Sequence, residues 1–408
     1  MNPLEILKNR GFIEQMTHEA EITELFDKQK VVFYNGYDPT ADSLHIGHYL
    51  TFMAISWLQK SGHVPIVLLG GGTGMVGDPD KADEMRPMMD VDIIDSNITR
   101  FMVQAKKYID FSNNAAIMEN NAKWLRHLNY ADFIREYGVH FSVNRMLSAD
   151  KYKTKFEGSG LNFFELNYMI MQAYDFLELY RRHGCVLQTG GNDQWSNIIA
   201  GVDLIRRVTG KPAYGMTFSL LPRADGHKMG KTMGGTIWLD AKKTSPYEFY
   251  QYFRNVKDEL VRKFLLLLTF LPIEQIDELS SATGAAINKS KEVLAYEITK
   301  LVHGQEEAEN AKESAKSLFG GASTNKLAPT TQISAADFNE GMALVDIMVM
   351  AGLAASKSEA RRAILQGGVS INDVKINELT HTILPADFVD NCIIVQNGKK
   401  NFHKIELY

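Results

Sequence analysis

The sequence predicts an α/β fold in its first half, a parallel sheet flanked by helices, because short apolar runs alternate there with helical patterns. The apolar runs are "VVFYNGY" at 31–37, "VPIVLL" at 64–69 and "CVLQTGG" at 185–191. Helical patterns cover about 47–59, 163–181 and 194–207. Each apolar run ends in glycine or polar residues, and in such sheets ligands bind beyond the carboxyl ends of the strands. We therefore expect a binding site at that edge.

The composition changes after residue 244. A capping box with proline at the first helical position, "SPYE" at 245–248, opens a Leu-, Lys- and Glu-rich stretch that predicts an all-helical domain. The stretch "GGASTNKLAPTTQIS" from Gly320 is typical of a linker, and a compact tail follows. We predict an α/β domain at 1–240, a helical domain at 241–320, a linker at 321–340 and a small C-terminal domain at 341–408.

Composition excludes several classes of protein. The longest apolar run, "FLLLLTFL" at 264–271, is far shorter than a membrane span, and "MNPLEILKNRGF" at the start carries no export signal. Cys185 and Cys392 stand far apart, which favours reduced thiols in a cytoplasmic protein over a disulfide scaffold or metal cluster. With a net charge of −5, RNA binding must depend on local features.

The segment "GGGTGMVGDPD" at 70–80 places Gly72, Gly74 and Gly77 at the spacing of a dinucleotide-binding fingerprint. That fingerprint needs a helix that begins on its last glycines. Here the chain continues into Asp78 and Pro79, with no apolar periodicity until about residue 93. We therefore disfavour an NAD or FAD site.

The stretch "YNGYDPTADSLHIGHYLTF" at 34–52 runs from a strand through a turn into a helix, with His45 and His48 on the first helical turn. Two imidazoles beside a helix N-terminus suit a polyphosphate, and Gly47 leaves room for a nucleotide. The alternatives are a solvated helix start and a pair of metal ligands.

The loop "HKMGKT" at 227–232 carries Lys228 and Lys231 on either side of a glycine. Their ammonium groups are suited to phosphate, although most short lysine-containing loops are simply solvated.

In "NYMIMQAYDFLELY" the residues Tyr168, Gln172 and Asp175 fall at i, i+4 and i+7, so a phenol, an amide and a carboxylate share one helix face. A polar ligand would satisfy these groups, and a water-facing polar helix surface is the alternative. In "LQTGGNDQWSN" Asp193 is suited to ribose hydroxyls, with helix capping as its alternative role.

Taken together, "DPTADSLHIGH" and, about 180 residues later, "KMGKT" resemble the HIGH and KMSKS signatures of class I aminoacyl-tRNA synthetases. The segments "YNGYDPTADSLHIGH", "GDP", "YMIMQAYDF" and "TGGNDQW" resemble the bacterial-type tyrosyl-tRNA synthetases in order and spacing, over nearly the whole chain. The resemblance implies a Rossmann-like catalytic domain, an all-helical anticodon-binding-type domain and a small α+β RNA-binding domain. It also implies a homodimer whose substrates are L-tyrosine, ATP and tRNA(Tyr).

The resemblance also implies roles for single residues. Tyr34 and Asp175 would hold the phenolic hydroxyl of tyrosine, and Gln194 would orient its carboxylate. The α-ammonium group would contact Asp78, Tyr168 and Gln172. The catalytic set would be Thr40, His45, His48, Lys228 and Lys231, with assistance from Arg86. ATP would lie against Gly36, Asp38, Gly47, Thr51, Gly190, Gly191, Asp193 and Lys231, and Mg²⁺ would accompany its phosphates.

The sequence departs from the family pattern at three places. Gly230 replaces the serine of KMSKS, which should mainly affect loop flexibility. Asn35 stands where some relatives carry cysteine, so a ribose contact there is not assigned. Lys81 is the candidate for the lysine expected after "GDP", but its register leaves it unassigned.

The tail segment "SKSEARRAILQGGVSIND" places Lys357, Arg361 and Arg362 on a short helix and resembles a small RNA-binding module of a ribosomal protein. From residue 341 onwards, seven basic residues balance seven acidic ones, so charge alone would also allow a purely structural cap.

Two other classes of function fit part of the pattern. A different nucleotidyltransferase would share the histidines, but the phenol-directed pair Tyr34 and Asp175 and the tail argue against it. An inactive RNA-binding paralogue would not need His45, His48 and the two loop lysines.

Overall fold

The computed structural model of the chain describes residues 2–79, 88–221, 236–319, 330–338, 341–372, 374–389, 391–398 and 401–408. Its contacts separate two units. The first comprises Met1–Thr244 and Phe253–Leu294, and the second comprises Ser245–Tyr252 and Ala295–Tyr408. The domain boundaries drawn from composition remain a prediction.

Helices and strands alternate through the first half of the chain. The helices are α1 (Pro3–Arg10), α2 (Glu19–Lys28), α3 (Ile46–Lys60), α4 (Val91–Ala105), α5 (Ala122–Leu125), α6 (Tyr130–Glu136), α7 (Val143–Ser148), α8 (Asp150–Glu157), α9 (Phe163–His183), α10 (Trp195–Thr209), α11 (Pro246–Arg254), α12 (Asp258–Leu268), α13 (Ile273–Ser280), α14 (Ile287–His303), α15 (Gln305–Phe319), α16 (Leu344–Met350) and α17 (Lys357–Leu365). The strands are β1 (Ile13–Met16), β2 (Val32–Tyr37), β3 (Val64–Leu69), β4 (Ile117–Asn120), β5 (Leu187–Gly191), β6 (Tyr214–Phe218), β7 (Thr330–Ile333), β8 (Met342–Ala343), β9 (Val369–Ile371), β10 (Val374–Ile376), β11 (Thr382–Ile383), β12 (Cys392–Asn397) and β13 (Asn401–Leu407).

A six-stranded sheet in the order β1-β6-β5-β2-β3-β4 forms the centre of the first unit. Only β1 pairs antiparallel, with β6, and the other neighbouring strands are parallel. The predicted α/β class is therefore confirmed. The predicted elements at β2, β3 and β5 and at α3, α9 and α10 are confirmed too, whereas β1, β4 and β6 had no clear signal in the sequence.

Because β2 to β5 are parallel, their carboxyl ends meet at one edge of the sheet. Asp38 follows β2, Gly70 follows β3, Asn121 follows β4, and Asp193 follows β5. The chain passes from β2 through α3 to β3 on one side, and β5 pairs with β2 on the other. This reversal is the place where such sheets open a crevice for ligands.

Two helices bring further polar groups to this edge. His45 is the N-cap of α3, and its side chain accepts a hydrogen bond from the backbone of Gly47. Asn162 and Glu165 form the capping box of α9, which runs 21 residues and ends at Gly184 in the left-handed conformation, with φ 65°. A glycine at that position avoids the steric cost of a side chain.

The second unit contains a five-stranded sheet in the order β10-β9-β12-β13-β7 and a small two-stranded sheet of β8 and β11. Its buried core includes Ile347, Ile364 and Ile393. Strand β7 lies inside the segment expected as a linker, and it pairs in parallel with β13. The β-branched sequence "TTQI" favours a strand, and only Ile333 among these four residues is buried.

Arg10, the last residue of α1, is buried and binds the end of α12 within the first unit. Arg10 is 3% exposed, and its guanidinium donates to the backbone carbonyls of Leu266 at 2.9 Å, Thr269 at 3.1 Å and Leu271 at 2.5 Å. These carbonyls include groups that the end of α12 leaves without a helical partner. The guanidinium also lies 4.2 Å from the ring centre of Trp57. Burial lowers the pKa of Arg10 to about 10, so it stays charged at neutral pH.

We expect Arg10→Met to lower the free energy of unfolding by about 2–4 kcal/mol, because three buried carbonyls lose their donor. Urea unfolding of the full chain measures this change. Arg262→Met is the matched control, since Arg262 is 52% exposed in its ion pair with Asp277, and it should cost less than about 1 kcal/mol. Equal losses in the two variants would contradict the role given to Arg10.

Candidate functional site

A cavity of about 450 Å³ opens at the carboxyl edge of the six-stranded sheet. Its wall combines the ends of β2, β3 and β5 with the first turn of α3 and one face of α9. The candidate residues that line it are Tyr34, Gly36, Asp38, Thr40, His45, Gly47, His48, Thr51, Asp78, Tyr168, Gln172, Asp175, Gly190, Gly191, Asp193 and Gln194. Residues chosen from four separate motifs thus face one space.

The remaining candidates lie elsewhere. Lys228 and Lys231, together with Lys81 and Arg86, are outside the described residues. Lys357, Arg361 and Arg362 belong to α17 in the second unit.

Tyr34 and Asp175 form one end of the cavity. Tyr34 is 1% exposed, and its hydroxyl has no hydrogen-bond partner among the residues that the structure describes. Burial, followed by the charge of Asp175, raises the pKa of Tyr34. Asp175 is 2% exposed, and burial raises its pKa to about 8. A buried hydroxyl without a partner is costly, so this end of the cavity is suited to a ligand with a polar tip.

Sequence reasoning missed the two side chains that hold Asp175. Asn121 donates to Asp175 Oδ2 at 2.8 Å, and the indole of Trp124 donates to Oδ1 at 2.7 Å. Both hydrogen bonds oppose the rise in the pKa of Asp175 that burial causes. No clear sequence signal pointed to Asn121, because strand β4, whose carboxyl end places it at the functional edge, was not predicted.

The glycines at 70–77 form a turn beside this carboxylate. A Cβ on Gly70 would lie 2.0 Å from Asp38 Oδ1, and Gly77 has φ 79°. The amide of Gly72 donates to Asn121 Oδ1 at 2.6 Å. The residues after Gly72 form only a single 3₁₀ turn, Thr73–Met75. The glycines therefore serve close packing rather than a dinucleotide-binding helix.

Asp78 is the centre of a second polar group. Its Oδ2 pairs with the ammonium of Lys151 and accepts a hydrogen bond from Gln194 Nε2 at 2.7 Å. Asn197 donates to Asp78 Oδ1 at 3.4 Å and to Gln172 Oε1 at 3.0 Å. Sequence reasoning did not select Lys151 or Asn197.

The other polar side chains of the cavity are also held in place. Tyr168 donates to Asp38 Oδ2 at 2.8 Å, and Gln194 reaches Asp193 as well as Asp78. The hydroxyl of Thr51 donates to the backbone carbonyl of His48 at 2.8 Å. These contacts orient the polar groups before any ligand binds.

His45 and His48 stack at 3.8 Å between ring centres. His45 Nδ1 accepts from the backbone of Gly47 at 3.1 Å, and His48 Nδ1 accepts from the backbone of His45 at 3.2 Å. The proton of each neutral ring is therefore on Nε2. Burial lowers the pKa of His45 to about 4, and burial together with His45 lowers that of His48. Both rings are neutral hydrogen-bond donors near neutral pH.

Among the described residues, the charge-bearing side chains that line the cavity are acidic apart from the two neutral histidines, namely Asp38, Asp78, Asp175 and Asp193. No group of three or more His, Cys, Asp or Glu in the described part of the chain is arranged to hold a metal ion. No described helix is long and apolar enough to cross a membrane. The negative charge of the cavity suits an ammonium group, so a polyphosphate would need cations from another segment.

Comparisons with known proteins identify the family of the chain. A family model described as tRNA synthetases class I (W and Y) matches residues 27–320, and one described as the tyrosine--tRNA ligase SYY-like C-terminal domain matches 323–405. The tyrosine--tRNA ligase of Lachnoclostridium phytofermentans is 56% identical over 403 residues, which is 98% of each chain. That of Caldanaerobacter subterraneus is 54% identical over 405 residues, which is 99% of each chain.

Solved structures give the same result. The C-terminally truncated mitochondrial tyrosyl-tRNA synthetase of Aspergillus nidulans superposes with a TM-score of 0.70 at 29% identity, over 78% of this chain and 94% of that one. The tyrosyl-tRNA synthetase of Archaeoglobus fulgidus, at 17% identity and a TM-score of 0.58 over 76% of this chain and 99% of that one, shares the fold. The matched families, the full-length relatives and the cavity lead to one conclusion: the chain belongs to the tyrosyl-tRNA synthetase family of class I.

Proposed function

We propose that the chain activates L-tyrosine with ATP to form tyrosyl-adenylate and transfers the tyrosyl group to the terminal ribose of tRNA(Tyr). One observation supports the proposal most strongly: the buried hydroxyl of Tyr34, which has no partner among the described residues, and the carboxyl group of Asp175 line the same cavity as His45 and His48. One cavity therefore contains candidate groups for binding a phenol and candidate groups for binding a triphosphate.

The phenolic hydroxyl of tyrosine binds between Tyr34 and Asp175, one donating and the other accepting a hydrogen bond. Phenylalanine would leave the buried hydroxyl of Tyr34 without a ligand partner and would add no hydrogen bond to Asp175, and that loss disfavours it. At the other end of the amino acid, the α-ammonium contacts Asp78, Tyr168 and Gln172, which lie in the same cavity. Gln194, beside Asp78, is placed to orient the carboxylate.

The adenosine lies against Gly190, Gly191 and Asp193, with Gly36, Asp38, Gly47 and Thr51 completing the ATP site. The glycines of β5 present bare backbone to the cavity, which lets a flat base approach closely. Asp193 follows these glycines, and its carboxylate is an acceptor for ribose hydroxyls.

In the first step, a carboxylate oxygen of tyrosine attacks the α-phosphorus of ATP in line, and the bond from that phosphorus to pyrophosphate breaks. The carboxylate is already nucleophilic, so no general base is needed, and catalysis comes from placement and charge stabilisation. The neutral Nε2–H groups of His45 and His48 donate to phosphate oxygens, beside Thr40. A ribose hydroxyl of the tRNA then attacks the carbonyl carbon of the adenylate and releases AMP.

The cations come from outside the described residues. Lys228 and Lys231, with Arg86, are assigned to the phosphates on their motif, and they would balance the carboxylates that line the cavity. Mg²⁺ would enter with ATP as part of the substrate and would neutralise phosphate charge there.

The second unit binds the tRNA through α17. The side chains of Lys357, Arg361 and Arg362 are exposed, and Lys357 forms a surface ion pair with Asp346. Phosphate contacts from such a helix weaken as salt rises.

Three further expectations remain predictions: a homodimer, a cytoplasmic location and the absence of membrane association. The first is supported by exposed apolar side chains on the first unit. These side chains are Val139 at 71%, Val143 at 54%, Phe156 at 55% and Phe163 at 67%. Exposed apolar side chains that form one continuous patch commonly mark a protein interface.

We expect tyrosine-dependent ATP–pyrophosphate exchange from the full chain. Tyr34→Phe and Asp175→Asn should each lower kcat/KM for tyrosine by at least about tenfold, because each removes one partner of the phenol. Phenylalanine should lose less, so the tyrosine-to-phenylalanine ratio falls. Thermal unfolding of both variants controls for stability. Exchange that depends on another amino acid, or an unchanged ratio, would reject the assignment.

The affinity for tyrosine should rise with pH through the titration of Asp175. The folded protein holds this carboxyl protonated up to a pKa of about 8, and the ionised form is the stronger acceptor for a phenol. The ratio of wild-type to Asp175→Asn affinity should therefore increase between about pH 6 and about pH 8. Taking this ratio cancels the titration of the substrate's amino group, and equilibrium binding at fixed ionic strength measures it. A flat ratio would contradict the raised pKa.

Replacing Lys357, Arg361 and Arg362 together with glutamine should leave pyrophosphate exchange within about twofold, because the adenylate site is in the first unit. Aminoacylation of tRNA should fall at least about tenfold, and the salt slope of tRNA binding should flatten. Equal loss of both activities would instead indicate that α17 supports the catalytic fold.

A further inference from the structure

Helix α8 places a lysine on the carboxylate assigned to the substrate's ammonium group. The ammonium of Lys151 pairs with Asp78 Oδ2, and both side chains are only 12% exposed. Asp78 is among the described residues that line the cavity, whereas Lys151 is not. Lys151 therefore reaches the carboxylate from the side of α8.

The two oxygens of Asp78 have different surroundings. Oδ2 accepts from both Lys151 and Gln194, whereas among the described residues Oδ1 has only the 3.4 Å contact with Asn197. Oδ1 is thus the oxygen with capacity left for a ligand. A bound α-ammonium group would share the carboxylate with Lys151.

Helix α8 is itself held firmly. Tyr152 is fully buried, and its hydroxyl donates to Asn197 Oδ1 at 3.1 Å. Lys155 forms a buried ion pair with Glu165, which belongs to the capping box of α9. The contacts of Tyr152 and Lys155 fix the position of α8, and with it the position of Lys151 beside Asp78.

We propose that Lys151 makes the amino-acid pocket discriminate against amines that lack an α-carboxylate. The inference rests on the proposed function, since it concerns the same α-ammonium site. Two positive groups on one carboxylate repel each other, so Lys151 weakens the hold of Asp78 on any ligand ammonium. In tyrosine the α-carboxylate is bonded to the same carbon as the ammonium, and its attraction to Lys151 offsets this repulsion. Tyramine has the ammonium group but no carboxylate, so it experiences only the repulsion from Lys151.

Lys151 acts through Asp78 and is a positioning residue rather than a catalytic one. Its removal leaves Asp78 with its full negative charge among the other carboxylates of the cavity. Ligands should then respond according to their own charge. The amine gains most, the zwitterion gains less, and a carboxylate without an ammonium group loses.

The test measures dissociation constants of L-tyrosine, tyramine and 3-(4-hydroxyphenyl)propionate with the full chain, without ATP. Lys151→Met removes the charge at similar length, and Lys151→Gln keeps a hydrogen-bond donor. In both, tyramine should tighten relative to tyrosine by at least about fivefold, and the propionate should weaken. Lys151→Arg, which keeps the charge, should preserve the wild-type order of affinities. Lys153→Met changes an exposed lysine of the same helix and should match the wild type.

The pattern across the ligands separates charge from structure. A loosened α8 would shift all three ligands by one common factor, and that result, or no shift at all, would overturn the role of Lys151. Failure of the wild-type chain to bind tyrosine would reject the proposed function itself. Wild-type tyrosine binding with an unchanged tyramine ratio in both neutral variants would reject only the inference.

Discussion

The hydrogen bonds to the buried carboxyl group of Asp175 are the interactions on which one end of the cavity depends. This side chain lies on α9, lines the same cavity as the hydroxyl of Tyr34 on β2, which has no partner among the described residues, and is held by Asn121 and Trp124. A buried carboxyl group is costly unless its oxygens accept hydrogen bonds. These hydrogen bonds connect α9 to Asn121 after β4 and to Trp124 on α5. The contacts that join α9 to the residues after β4 are therefore the same ones that orient the group we propose for binding the phenol.

Much of this arrangement could be predicted because its signals are local in sequence. The continuous apolar runs of β2 and β3 predict buried parallel strands, and the spacing of Tyr168, Gln172 and Asp175 predicts one face of α9. The pair His45 and His48 lies within a single helical turn. In each case a few consecutive residues fix which side chains share a surface.

The partners of these residues could not be predicted in the same way. Asn121 meets Asp175 across 54 positions, and Lys151 meets Asp78 across 73. Strand β4 is four partly exposed residues that alone resemble many loops, and only its pairing with β3 brings Asn121 to the edge. Such contacts depend on topology, which periodicity does not specify. The roles of Lys228 and Lys231 stay predictions, outside the described residues.

The pairing of β1 with β6 has a consequence for the order of folding. Ile13 is registered with Phe218, and Arg10 binds carbonyls at residues 266–271, so these contacts of the first 16 residues join positions about 200 to 260 apart. Contacts of such long sequence separation form slowly, because the loop-closure entropy is lost before they stabilise the chain. During synthesis, the edge of β6 and the end of α12 must both emerge before the N-terminal segment can dock. Until then that segment has only its nearer native contacts, such as the ion pair of Lys8 with Glu19 and the contact of Arg10 with Trp57, and it is exposed to chaperones and proteases.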